Sequence, residues 1–139
     1  MTYDRKPFIF ITERTMERLQ DLVDIANPTN EDDLENLERL EEKLYQATIV
    51  EPENIPLDIV TINSKVQLRE ISSNLEIIII LVFPSEADLS EHKISILAPI
   101  GPAIIGRQTG DIIKWKAPGG IKSAEIKKLL YQPEALGEF

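Results

Sequence analysis

"LAPIGPAIIGRQTGDIIKWKAPGG" (Leu97–Gly120) holds five of the chain's six glycines, at positions 101, 106, 110, 119 and 120. Such clustering arises where backbone amides wrap a phosphate, or where a chain reverses direction several times. The two readings lead to different folds. A phosphate loop of the form G-x-x-x-x-G-K-[S/T] needs a lysine and a hydroxyl directly after its second glycine. Gly101 and Gly106 have that spacing, but Arg107 and Gln108 occupy the two positions that follow, and no G-x-G-x-x-G occurs. The stretch therefore turns. "APIGPAIIG" (98–106) reads as a short helix, and Gly106 and Gly110 supply positive φ after it and before the strand "DIIKWKA" (111–117). Pro118, Gly119 and Gly120 make a hairpin turn into a last strand, "KSAEIKKLLY" (122–131).

Moving outward, "KVQLREI" (65–71) alternates apolar and polar residues, and "SSN" turns the chain into "LEIIIILVF" (75–83). That run is apolar on both faces, the pattern of a central strand covered on both sides. The short helix around Pro102 to Ile105 would cover one face. The base of a helical pair, a self-partner or a protein partner would cover the other. "PSEADLSEH" is a loop and "KISIL" (93–97) a short strand. The expectation is a five-stranded antiparallel sheet with one short helix packed across it.

The first part of the chain has the other period. In "ITERTMERLQDLVDIAN", Met16, Leu19, Leu22, Val23 and Ala26 form one helical stripe, with Thr12 as N-cap and Pro28 ending the element. "TNEDDLENLERLEEKLYQA" restarts it: Thr29 or Asn30 caps, and Glu31, Asp32 and Asp33 place negative charge in the first turn, where the helix dipole favours it. Leu34, Leu37, Leu40 or Glu41, and Leu44 continue the stripe. Arms of this length span ~22–28 Å. "VEPENIP" (50–56) has no period and reads as a linker. The expected division is a helical hairpin over 1–50, a linker over 51–57 and a sheet domain over 58–139.

The 139 residues suffice for about one domain, and 42% of them are hydrophobic, so a core can form. With no cysteine, disulfides, thiol catalysis and thiolate metal sites are excluded. The longest apolar run, Ile77 to Phe83, is far short of the ~18 residues of a membrane span. "MTYDRKPFIFITERT" lacks the features of a signal peptide, so a cytoplasmic protein with no membrane partner is expected. The net charge of -9 lies wholly in residues 1–58, with 15 acids against 6 bases; residues 59–139 have 9 of each. Such acidity disfavours direct nucleic-acid binding. His92 is the single histidine and sits in a polar loop, which argues against a zinc site or a Ser-His-Asp arrangement. Trp115, between two lysines, is read as packing on the core. No catalytic residue, metal or cofactor is expected.

"SILAPIGPAIIGRQTGDIIKWKAPGG", taken with "VTINSKVQL" (60–68) and "LLYQPEALGEF" (129–139), closely resembles the regulator of nucleoside diphosphate kinase family, small relatives of the Gre transcript-cleavage factors. The match includes a V-T-x-N-S-x-V strand, the P-x-G-x-A-x-x-G-x-x-x-G-D helix-turn, P-G-G and L-Y-Q-P-E-A-x-G, and it covers the whole chain. The resemblance implies an FKBP-like C-terminal domain preceded by a truncated coiled coil. It also implies binding to bacterial RNA polymerase near the mouth of its secondary channel. Gre factors dock through a loop reading Asp-Ser-Pro or Ser-Ser-Pro; the matching positions here are Leu97, Ala98 and Pro99, an apolar version extended by Ile100.

In Gre factors a long coiled coil carries two acidic tip residues to a catalytic magnesium. Glu31, Asp32 and Asp33 resemble that pair at first, but "ANPTNEDD" does not reproduce the family's tip and the arms are about half the length a probe of that kind requires. The implied function is occupation of the channel entrance without the reaction, the acidic helix acting at most through its charge. Two alternatives remain open. One is an adaptor acting directly on nucleoside diphosphate kinase. The other is prolyl isomerisation by an FKBP-like domain, for which only Phe83, Trp115, Tyr131 and Phe139 supply aromatic residues in the C-terminal half.

Overall fold

The computed structural model describes residues 9–138; the extreme N-terminus and Phe139, both used in the reading above, lie outside the described residues. Strand β1 (Phe10–Ile11) leads into helix α1 (Glu13–Ile25), where Thr12 Oγ1 accepts a hydrogen bond from the Thr15 amide at 3.3 Å. Helix α2 (Glu31–Tyr45) opens on a reciprocal cap: Asn30 Oδ1 accepts from the Asp33 amide at 2.8 Å, and Asn30 Nδ2 donates to Asp33 Oδ2 at 3.0 Å. The helices have 13 and 15 residues, hence lengths of ~20 and ~22 Å. Strand β2 (Thr48–Ile49) then pairs parallel with β1 and closes the base of the hairpin. Two-residue strands carry no period, so this pair has no signature in the sequence.

The remaining strands are β3 (Lys65–Glu70), β4 (Glu76–Val82), β5 (Lys93–Ser95), β6 (Ile112–Ala117) and β7 (Gly120–Tyr131), with helix α3 (Ile100–Ile104) between β5 and β6. Their spatial order is β5-β4-β3-β7-β6. The sheet is mixed, which corrects the all-antiparallel expectation. β5 runs parallel to β4, pairing Ile80 with Lys93 and Val82 with Ser95. The reason is the connection: two 3-10 turns, Pro84–Glu86 and Leu89–Glu91, carry the chain back along β4 as far as Ile80 before β5 starts. A second correction concerns "VTINS": it is a turn ahead of β3, with Asn63 left-handed at φ 72 and the Thr61 amide donating to Ser64 Oγ at 2.9 Å.

One hydrophobic cluster runs through both halves. Leu19 of α1 and Leu40 and Leu44 of α2 pack with Val66, Leu68, Ile79, Leu81, Ile113 and Ile126 of the sheet and with Ile104 of α3. The hairpin and α3 therefore cover the same face. The first half of β4 stays open: Ile77 and Ile78, which as strand neighbours point to opposite faces, are each 39% exposed. The covering on both sides expected from the apolar run holds only for the second half of β4, where Leu81 and Val82 are buried; β5 reaches only Ile80–Val82 and leaves the first half with a single neighbour, β3. The segment read as a linker is pinned down. Ile55 is buried, and the Pro56 carbonyl accepts from Gln132 Nε2 at 2.8 Å. No described helix is long and apolar enough to cross a membrane.

Candidate functional site

The corner between β5 and α3 is built by short-range hydrogen bonds. Ser95 Oγ accepts from the Leu97 amide at 3.0 Å, the Ser95 carbonyl accepts from the Ala98 amide at 2.9 Å, and the Ala98 carbonyl accepts from the Gly101 amide at 2.8 Å. The turn is so tight that a Cβ on Gly101 would sit 2.1 Å from the Ile96 carbonyl oxygen. This close approach, rather than positive φ, explains that glycine. Leu97, Ala98 and Pro99 are left partly exposed, with Leu97 leaning on the core. Ile100 is buried within the main cluster. At 8% exposure it adds almost nothing to the surface of this corner, which ends at Pro99.

Glu31, Asp32 and Asp33 lie exposed at the start of α2. Asp33 is engaged in the Asn30 cap, and Asp32 Oδ1 approaches Lys116 Nζ of β6 at 3.5 Å. The hairpin's turn thus rests beside the sheet rather than projecting from it. Among the described residues no group of three or more His, Cys, Asp or Glu side chains is placed to hold a metal. The acidic start and the corner belong to different elements, related through the packing of α2 on α3.

The two quoted motifs at 60–64 and 132–134 prove to be one unit. Thr61 Oγ1 donates to Glu134 Oε1 at 2.7 Å and lies 2.9 Å from Ser64 Oγ, while Gln132 Nε2 donates to the carbonyls of Pro56 and Ile59 at 2.8 and 2.7 Å. They fasten the chain's end to the entry of β3. The motifs were legible in the sequence, but their partnership across some seventy residues was not. Beside them a cleft of about 810 Å³ runs between the start of α1 and the C-terminal segment, lined by Arg14, Arg18, Phe83 and Glu134 among others. The Arg18 guanidinium stacks 4.0 Å above the Phe83 ring. Trp115 packs partly against the core, and His92 sits in an exposed turn at φ 61.

Residues 40–131 match the family described as "Transcription elongation factor, GreA/GreB, C-term", and residues 7–50 match "Rnk N-terminus". The chain is 35% identical over 135 residues to the "Regulator of nucleoside diphosphate kinase" of Escherichia coli (strain K12), covering 96% of this chain and 97% of that one. It is also 39% identical over 88 residues to the "Transcription elongation factor GreA" of Clostridium botulinum (strain Alaska E43 / Type E3), covering 63% of this chain and 55% of the relative. A solved structure, a prokaryotic transcription elongation factor GreA/GreB from Nitrosomonas europaea, superposes with a TM-score of 0.76 at 39% identity over 91% of this chain and 100% of that one. The helical pair, the curled mixed sheet and the 60–64 and 132–134 motifs thus go together with relatedness along nearly the whole chain: the protein belongs to the regulator of nucleoside diphosphate kinase family, whose C-terminal part is that of the GreA/GreB transcription elongation factors.

Proposed function

We propose that this protein is a non-enzymatic, cytoplasmic transcription regulator that binds RNA polymerase near the secondary channel, competes there with Gre-type factors and does not stimulate transcript cleavage. One observation carries the reading: the helical arms have 13 and 15 residues and give their apolar stripe to the protein's own core. A hairpin of ~20 Å lying on its own sheet stands at an entrance and does not traverse a channel. Of the division expected from the sequence, the described residues 9–50 form the short arm and 58–138 the anchor, joined through 51–57. Leu97, Ala98 and Pro99 form the docking corner. Glu31, Asp32 and Asp33 contribute a negative surface that speeds encounter with basic groups at the entrance.

An effect on nucleoside diphosphate kinase, which the name of the Escherichia coli relative invites, then follows from transcription. Direct binding to the kinase is the competing reading. Prolyl isomerisation by an FKBP-like domain is less well supported, since Phe83 is occupied by Arg18 while Trp115 and Tyr131 lie on other strands. Retention on immobilised polymerase and on immobilised kinase separates the readings. Polymerase should retain the protein, and Ala98→Arg should weaken that retention about tenfold; retention by the kinase alone contradicts the proposal.

A further inference from the structure

A cleft of about 240 Å³ lies between α2, α3 and β6, and four cations line it: Arg39 and Lys43, one helical turn apart on α2, Arg107 after α3, and Lys114 on β6. Glu42 is the one carboxylate on its wall. Arg39 is bonded to Glu35, and Arg107 donates from Nε to Asp111 Oδ2 and from Nη2 to the Ile112 carbonyl, each at 3.2 Å, which leaves its Nη1 edge. Lys43 and Lys114 have no ion pair among the described residues. In a chain of net charge -9 this is a local reversal of sign.

We propose that this cleft is a binding site for a small diphosphate-type oxyanion, held by the uncommitted ammonium groups of Lys43 and Lys114 and by the guanidinium edges of Arg39 and Arg107. Guanidinium forks and lysine charges suit the clustered oxygens of phosphate groups. The volume suits a compact anion, since drug-sized ligands occupy pockets of about 300 Å³ and more. The acidity of the whole chain selects against a polymeric phosphate, because the surfaces beyond the cleft repel a long polyanion. The Lys43 ammonium is held down to about 8, by burial first and then by the like charge of Arg107, with Glu42 and Asp111 acting weakly the other way. A bound oxyanion relieves that burden.

The site is tested on the full chain without polymerase, so its failure leaves the proposed function untouched. Inorganic diphosphate titrated calorimetrically at low ionic strength should bind at one site. Lys43→Gln with Lys114→Gln should weaken binding at least about tenfold. The control pair Lys65→Gln with Lys128→Gln, which removes the same charge elsewhere, should leave affinity within about twofold. If the double variant is unfolded by circular dichroism, Lys114→Gln alone, at an exposed position, takes its place. Equal loss in the control pair, no saturable heat with the wild-type chain, or equal competition by a short RNA at matched phosphate concentration would each overturn the proposal.

Discussion

The Asp32 carboxylate lies 3.5 Å from the Lys116 ammonium, which ties the start of α2 to the sheet's outer strand 84 residues further along the chain. Both side chains are largely exposed, and ion pairs of that kind contribute little. The hold between the two halves comes from Leu19 and Leu40, both fully buried in the shared cluster. Leu40→Ala should cost ~2–5 kcal/mol, whereas Lys116→Gln should leave the unfolding midpoint nearly unchanged. In the wild-type chain, loss of helical circular dichroism and the change in Trp115 fluorescence should coincide in one transition. Two separated transitions would show that the hairpin folds apart from the sheet.

Gly101→Ala should be severe. The new methyl group meets the Ile96 carbonyl oxygen at 2.1 Å, and backbone on both sides leaves no side chain to move away. A loss of at least about 2–3 kcal/mol in urea unfolding is expected. Gly110→Ala, with open space around it, should be milder and limited to the strain of a positive φ.

The longer elements of this fold were legible because each displays its period. The stripe from Met16 to Leu44 announced two helices; Thr12 marked the start of the first, and of the two caps open for the second, Thr29 or Asn30, it is Asn30 that caps. Strand direction is not written locally. Nothing in "KISIL" distinguishes a strand beside β4 that runs with it from one that runs against it. Nor does "EIIIILV" reveal that β5 falls short of Ile77 and Ile78, which is what leaves them exposed. For the candidate site, Leu97 to Pro99 could be located by resemblance, but the burial of Ile100 depends on the close turn at Gly101. The basic cleft was invisible, since Arg39 and Lys43 meet Arg107 and Lys114 only through tertiary packing.

The bond from Thr61 to Glu134 and those from Gln132 to the Pro56 and Ile59 carbonyls are the chain end's fastening. Thr61→Val, which keeps the shape and removes the hydroxyl, should cost about 1–3 kcal/mol, and Gln132→Ala a similar amount, because buried polar partners are left behind. Added together, the two should fall short of additivity, since both act on the same junction. A double-mutant cycle in denaturant measures this directly.

Lys43 gives the stability a distinctive pH dependence. Its ammonium is lowered from 10.5 to about 8 in the folded chain. Between those values the unfolded state holds the proton that the folded state has released, so unfolding takes up protons and stability rises with pH. Below about 8 the cost of keeping this charge half-buried is fully present. Lys43→Met should therefore raise the melting temperature at pH 7 by roughly 2–4 °C, and the difference between the two proteins should narrow as pH climbs from 8 toward 10.5. A constant difference across that window would remove the assigned cause.

The most direct measurement of the central claim is RNA cleavage in a stalled elongation complex. Rising amounts of this protein, added with a Gre factor, should suppress the factor's stimulated cleavage in proportion to occupancy, and the protein alone should produce none above the polymerase's own rate. Trimming of the transcript by this protein alone, or undiminished Gre activity at saturating protein, would contradict it.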